Sequence, residues 1–381
     1  MDFSFKRITS SGKFIPEIDG LRFIAISSVV IYHYWCLISI YDTHTYVDNI
    51  DYSFIKKLIS HGNFGVELFF VISGFILGLP FCKYYLHNGK KVDIKSYFIR
   101  RLTRLEPPYI ISLVLFALAS VIFLNMTIGT MFRSFFSSLF YIHNFVYPGE
   151  KPLLNGVAWS LEVEVQFYIL APILALFFFS IKSLYKRRIL LVLTICLLVL
   201  ISNYYIPVFT SIYNYLHYFL LGFLLCDFYL SDSSIKYKIP NIAKLLLLVL
   251  FLSIWLYEKI YLVGYFNRII WELYQILIIF ALYYFIIVRK QITILTKPLL
   301  TNIGGMCYSI YLLHYPLIAF VSKYMFAFQF SKISIINVTI YALIYTLVIG
   351  FVSAIFYLMI EKPCMDKNWP SKIKISLKHG R

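Results

Sequence analysis

Long apolar runs alternate with short polar segments along the whole chain. The runs fall near 21–40, 63–82, 107–126, 159–180, 188–206, 213–230, 241–257, 269–288, 304–325 and 336–360. Each approaches the roughly 20 residues that a helix needs to cross the hydrocarbon core of a bilayer. The pattern predicts an all-α polytopic membrane protein with about ten transmembrane helices. The longest gap between runs, about 32 residues at 127–158, leaves no room for a separate soluble domain. With no internal repeat and no Pro/Gly/Ser-rich linker, one membrane-embedded domain is expected over 15–363. A basic tail follows over 364–381. Residues 1–20 are polar and lack the apolar core of a signal peptide, so the first run is expected to direct insertion itself.

Composition sharpens this picture. Hydrophobic residues make up 60% and charged residues 14%, against about 45–50% and about 25% in soluble domains. Disorder and an ordinary cytosolic enzyme are both excluded. The six cysteines are too sparse for a disulfide scaffold, and their spacing fits neither a metal site nor a redox motif. No metal is expected.

The net charge of +17 would suit a nucleic-acid binder, but its distribution says otherwise. If the N-terminus is cytoplasmic, the cytoplasmic segments hold 26 Lys and Arg and the opposite ones 8, with Arg22 at the mouth of the first run. Basic residues are retained on the cytoplasmic side. Both termini are therefore expected in the cytoplasm and the chain in the cytoplasmic (inner) membrane. Topology and anionic headgroups account for the charge, and no nucleic-acid partner is expected.

Ionisable groups inside a bilayer are costly, which makes each a functional candidate. Arg22 and His33 are eleven residues apart on the first run. That separation is about three helical turns, or about 16 Å, on one face. The bland alternative for His33 is a buried imidazole bonded to a neighbouring carbonyl. Arg101 and Arg104 are i,i+3 neighbours followed by Pro107 and Pro108. The arginines suit bidentate phosphate binding, and the prolines are expected to fix where the helix begins. A positive-inside anchor is the competing reading.

The fourth run carries Ser160, Glu164 and Tyr168 at i, i+4, i+8, with Glu162 facing away. A buried carboxylate such as Glu164 can pair with an imidazole for acid–base work; both glutamates can equally serve as hydrogen-bond clamps, Glu162 more so. Glu67, Ser73 and Gly74 in the second run read mainly as packing. Tyr311 and His314 share a face in the ninth run, where Pro316 is expected to bend the helix.

Taken together these segments resemble acyltransferase family 3, the integral-membrane O-acyltransferases of bacterial surface glycans. The resemblance rests on five elements in order: Ile18-Asp19-Gly20-Leu21-Arg22 with His33; Gly65-Val66-Glu67 through Ser73-Gly74-Phe75; Arg101-x-x-Arg104 with Pro107 and Tyr109; Trp159-Ser160 through Glu164 to Tyr168; and Tyr308-Ser309-x-Tyr311-Leu312-x-His314-x-Pro316.

The resemblance implies transfer of an acyl group, acetyl above all, from cytoplasmic acyl-CoA. The acceptor would be a hydroxyl of a cell-surface or exported polysaccharide or glycolipid. Acyl-CoA is then a co-substrate, and no tightly bound cofactor is expected. Arg22, Arg101 and Arg104 would hold the coenzyme, and His33 and Glu164 would be catalytic. His33 acts either as base toward the hydroxyl or as acyl carrier; the sequence leaves both open. A transporter or flippase is the competing class, but the inverted repeats typical of such folds are absent.

Overall fold

A computed structural model describes residues 5, 7, 14–41, 59–232, 238–256, 264–325, 328, 330–332, 334–366 and 369. Among these residues the chain is helical and contains no strand. The long helices are α1 (Pro16–Tyr41), α2 (Gly65–Leu86), α3 (Ile94–Leu124), α4 (Ile128–Leu139), α5 (Trp159–Phe179) and α6 (Leu184–Tyr204). They continue as α7 (Leu216–Asp232), α8 (Asn241–Ser253), α9 (Tyr265–Tyr283), α10 (Pro298–Gly305), α11 (Cys307–Met325) and α12 (Ser334–Phe356).

Every apolar run of the sequence lies on a helix, but fewer than ten helices are long and apolar enough to cross a membrane. Among the described residues six qualify, or seven if the bent pair α10–α11 counts as one span. Of the rest, α7 has 17 residues and α8 has 13, while α6 opens on Lys186, Arg187 and Arg188. From residue 370 onward the expected basic tail lies outside the described residues.

One detail corrects the sequence reading. Helix α3 starts thirteen residues before Pro107, at Ile94, where the Asp93 side chain accepts from the Ser96 N–H at 2.9 Å. Pro107 and Pro108 therefore sit inside the helix. Pro316 lies within α11, and a separate break falls upstream at Met306, with a bend of 68°. The Gly304-Gly305 pair that ends α10 explains the position, since glycine terminates helices readily.

Close glycine contacts hold the centre together. A Cβ on Gly74 of α2 would lie 2.1 Å from the Phe219 carbonyl oxygen of α7, and one on Gly222 would lie 2.4 Å from the Phe75 nitrogen. The two backbones touch because neither residue has a side chain. Gly304 approaches the Asp19 carbonyl of α1 in the same way. Around these contacts Phe70, Phe75, Phe167, Phe219 and Phe223 fill the core. Large apolar side chains such as Ile122, Leu124, Leu347 and Phe351 are about two-thirds exposed, as lipid-facing residues are.

Helices α2 and α7 run parallel, since Phe70 meets Phe219 while Phe75 meets Tyr229. Their N-terminal ends, with that of α9, therefore share one face of the bundle. The starts of α1 and α3 lie at the opposite face, beside the end of α2.

Candidate active site

An open cavity of about 110 Å³ lies among α1, α2, α3, α5 and α11. Its wall carries Arg22, Arg101, Arg104 and Glu164 together, and adds Arg7, Tyr308, Tyr311 and Glu361. Four of the five residues singled out in the sequence thus meet. Arg22 Nη1 donates to Asp19 Oδ1 at 2.6 Å, and Arg7 Nη1 reaches the same oxygen at 3.3 Å. The Arg101 guanidinium lies 5.8 Å from the Tyr97 ring centroid and 5.9 Å from that of Tyr168, within the reach of cation–π contact.

The buried Nε atoms of Arg101 and Arg104 have no hydrogen-bond partner among the described residues. Two forked donors with free N–H groups at the edge of a cavity suit a phosphate oxygen better than a solvated anchor. Glu361 balances part of this charge. It lies on a π-helical turn, Tyr357–Glu361, and accepts from the Ser309 N–H at 2.9 Å. Such turns recur at functional sites.

Ser160, Glu164 and Tyr168 face the cavity as their spacing predicts. Glu164 accepts from Ser73 Oγ at 2.6 Å, which makes Ser73 more than a packing residue. Glu162 turns the other way. Its carboxylate accepts from the His143 and Asn144 N–H groups at 2.9 and 2.8 Å, and so anchors the loop before α5.

His33 is not on this wall. It lies beyond Tyr311, whose hydroxyl is 2.8 Å from Ser160 Oγ and also donates to the Val157 carbonyl. One turn past Tyr311, His314 Nε2 stands 3.1 Å from His33 Nδ1. The expected pairing of Glu164 with His33 is therefore replaced by Glu164 with Ser73 and His33 with His314. The reason is position: Glu164 points from α5 toward α2, on the cavity side of the Tyr311–Ser160 contact.

The surroundings assign the tautomers. His314 Nδ1 faces only carbonyl oxygens, Ile310 at 3.0 Å and Tyr311 at 2.8 Å, so it carries the proton and Nε2 is an acceptor. His33 Nδ1 then faces two acceptors, Val29 O at 3.0 Å and His314 Nε2, and must donate. That leaves His33 Nε2 with its lone pair, a base. Tyr32 and Tyr315 set edge-on against the ring, each with centroids 5.1 Å away, and hold its orientation.

Three contributors were not singled out from sequence. Arg7 lies in the polar N-terminal segment, where no periodicity marks it. Ser73 is one small polar residue in a packing motif. Glu361, a carboxylate at the end of the last apolar run, was findable by the same rule that selected Glu164. Among the described residues no group of three or more His, Cys, Asp or Glu side chains is placed to hold a metal.

A multi-helix bundle with apolar spans, an arginine-lined cavity and, beyond Tyr311, a histidine pair defines the class: a multi-pass membrane protein with ionisable groups gathered inside its helices. The acyltransferase domain family matches residues 15–358, and the chain belongs to it. O-acetyltransferase OatA of Staphylococcus aureus (strain NCTC 8325) is 28% identical over 411 residues, covering 99% of this chain and 62% of that protein. A provisionally named O-acetyltransferase of S. aureus (strain COL) is 29% identical over 346 residues, covering 82% of this chain and 52% of the relative. The chain thus spans only a little over half the length of these curated relatives. No solved structure matches it.

Proposed function

We propose that the protein is a membrane O-acyltransferase. It moves an acyl group, acetyl in the first instance, from acyl-CoA to a hydroxyl of a cell-surface or exported polysaccharide or glycolipid. In this reading the chain sits in the cytoplasmic membrane, crosses it about ten times and keeps both termini in the cytoplasm. The observation that carries the reading is the gathering of Arg7, Arg22, Arg101 and Arg104 on one cavity with a histidine base just beyond it.

The phosphates of coenzyme A bind the forked guanidinium groups at the cavity mouth. The thioester arm points inward past Tyr311 toward His33. His33 Nε2 takes the hydroxyl proton as the acceptor oxygen attacks the thioester carbon; the C–O bond forms and the C–S bond breaks. The imidazolium then returns its proton to the departing thiolate. Covalent carriage of the acyl group on His33 uses the same groups in two steps. Glu164, held by Ser73, shapes the passage from the carboxylate side.

The test is purified protein in proteoliposomes with labelled acetyl-CoA outside and a saccharide acceptor inside. Label on the saccharide with matching release of free thiol supports the reading. Intact acetyl-CoA alongside folded protein rejects it.

A further inference from the structure

A second cavity, open and about 390 Å³, lies at the other face of the bundle, where α2, α7 and α9 begin. Its lining differs in kind from the arginine cavity. Glu272, Gln275 and Ser202 are 3%, 6% and 5% exposed, yet each contributes to the wall. Asn214, Tyr215 and Tyr218 complete it. Polar groups buried in a membrane protein are costly unless they are paired or face water or a ligand, and these line an open cavity.

Glu272 is held by Asn203, whose Nδ2 donates to its Oε2 at 2.5 Å, and His217 Nε2 lies 3.0 Å from its Oε1. These three residues come from α9, α6 and α7. A carboxylate fixed in this way presents acceptor lone pairs in set directions, as a substrate bearing several hydroxyls requires. Beside it are the Asn214 and Gln275 amides and the side chains of Tyr215 and Tyr218.

The charge selects among ligands. Among the described residues the wall carries one Lys or Arg, Arg268, against two carboxylates, Glu67 and Glu272, a balance that favours a neutral ligand over a phosphate. No metal-holding group occurs among the described residues. Hydroxyl-rich and neutral is what remains.

Tyr32 links the cavity wall to the histidine pair. The His61–Phe64 turn on its wall packs against α1, where a Cβ on Gly62 would lie 2.9 Å from Tyr32 Cβ. The Tyr32 ring in turn touches His33. On the other side Tyr215 lies 5.6 Å from Trp159, whose ring carries Lys151 Nζ at 4.8 Å. An aromatic shelf therefore leads out of the cavity.

We propose that this cavity binds one sugar unit of a neutral oligosaccharide acceptor and places the adjoining unit toward His33. The proposal rests on the acyl-transfer reading for the identity of the substrate, but its content, a saccharide site at Glu272, Gln275 and Tyr215, is measurable without any acyl donor.

The experiment is calorimetric titration of the full chain in nanodiscs with a panel of short neutral oligosaccharides of glucose, mannose, galactose and N-acetylglucosamine. At least one is expected to bind, and Gln275→Leu and Tyr215→Leu to weaken it at least tenfold. Asn63→Ala, at the half-buried rim, guards against a variant that misfolds, and thermal unfolding checks each protein. Binding by none of the panel, or equal binding by folded variants, overturns the proposal. A chain that binds saccharide at this site but consumes no acetyl-CoA keeps the site and rejects the transfer reading. Transfer with binding indifferent to these substitutions does the reverse.

Discussion

His33 Nδ1 and His314 Nε2 are 3.1 Å apart, joining residues separated by 281 positions in sequence. Because His314 offers only an acceptor there, it fixes the proton of His33 on Nδ1 and leaves Nε2 basic. Substituting His33 with Gln keeps hydrogen bonding and removes basicity. General-base catalysis contributes about 10²–10⁴-fold, so His33→Gln is expected to retain under about 1% of transfer at normal membrane levels. Near wild-type turnover by that variant would exclude the catalytic role. His314→Leu removes one neutral hydrogen bond, about 1 kcal/mol, and is expected to lower kcat by about fivefold. His314→Gln, whose amide oxygen can still accept, should recover part of the loss; identical kcat for the two variants would argue against positioning.

Arg101→Ala and Arg104→Ala each remove a charge-assisted donor to phosphate, about 1.5–3 kcal/mol. The expected result is a KM for acyl-CoA about ten- to hundredfold higher. Arg101→Lys should rescue poorly, because Lys lacks the planar fork that lies within cation–π reach of Tyr97 and Tyr168. An unchanged KM in well-folded variants returns both residues to the role of topology anchors.

Much of this site is visible in the sequence because membrane burial makes charge conspicuous. Arg22, Arg101, Arg104 and Glu164 stand out against apolar surroundings, and the structure places all four on one cavity. What periodicity cannot show is which helix faces which. The turn that carries His314 beside His33 depends on how α11 packs against α1, and that packing depends on Gly304 meeting the Asp19 backbone. Pairing Glu164 with His33 was reasonable from chemistry and wrong in geometry, since Ser73 on α2 is nearer. The helix start expected near Pro107 fails for a local reason. Proline disrupts helices less inside a bilayer, where neighbours re-satisfy the freed carbonyls.

The central packing makes its own forecast. Gly222→Ala puts a methyl group 2.4 Å from backbone atoms of α2, which cannot rotate away. Overpacking of this kind costs typically about 1–3 kcal/mol. The melting temperature in detergent should fall by several degrees, whereas Gly129→Ala, with open space around it, should leave it unchanged. Equal melting of the two variants would show that α2 and α7 are looser than the structure has them.

Glu162 and Glu164 differ by two positions and should separate cleanly. Glu162→Ala strands two buried N–H groups in the loop at His143 and Asn144, each at about 1–3 kcal/mol. Faster proteolysis of the segment before α5 is expected, with KM for acyl-CoA unaltered. Glu164→Gln should instead lower turnover while protease resistance stays normal. The opposite assignment of the two phenotypes would refute the division of roles.

The same loop gives the protein a dependence on pH. Burial of the His143 side chain pushes its pKa below the ordinary value, and the nearby Glu150 opposes this only in part. The neutral ring is thus the folded form, and the unfolded chain binds the extra proton from about pH 6.5 downward. By linkage the stabilisation is complete above that pH and is lost as the pH falls below it. Melting temperature should therefore decline between about pH 7.5 and pH 5.5, and His143→Gln should flatten the decline, since nothing at that position titrates. The comparison of slopes is the readout, because carboxylates elsewhere contribute equally to both proteins. Parallel slopes would assign the acid sensitivity to other groups and leave His143 a packing residue beside the Glu162 clamp.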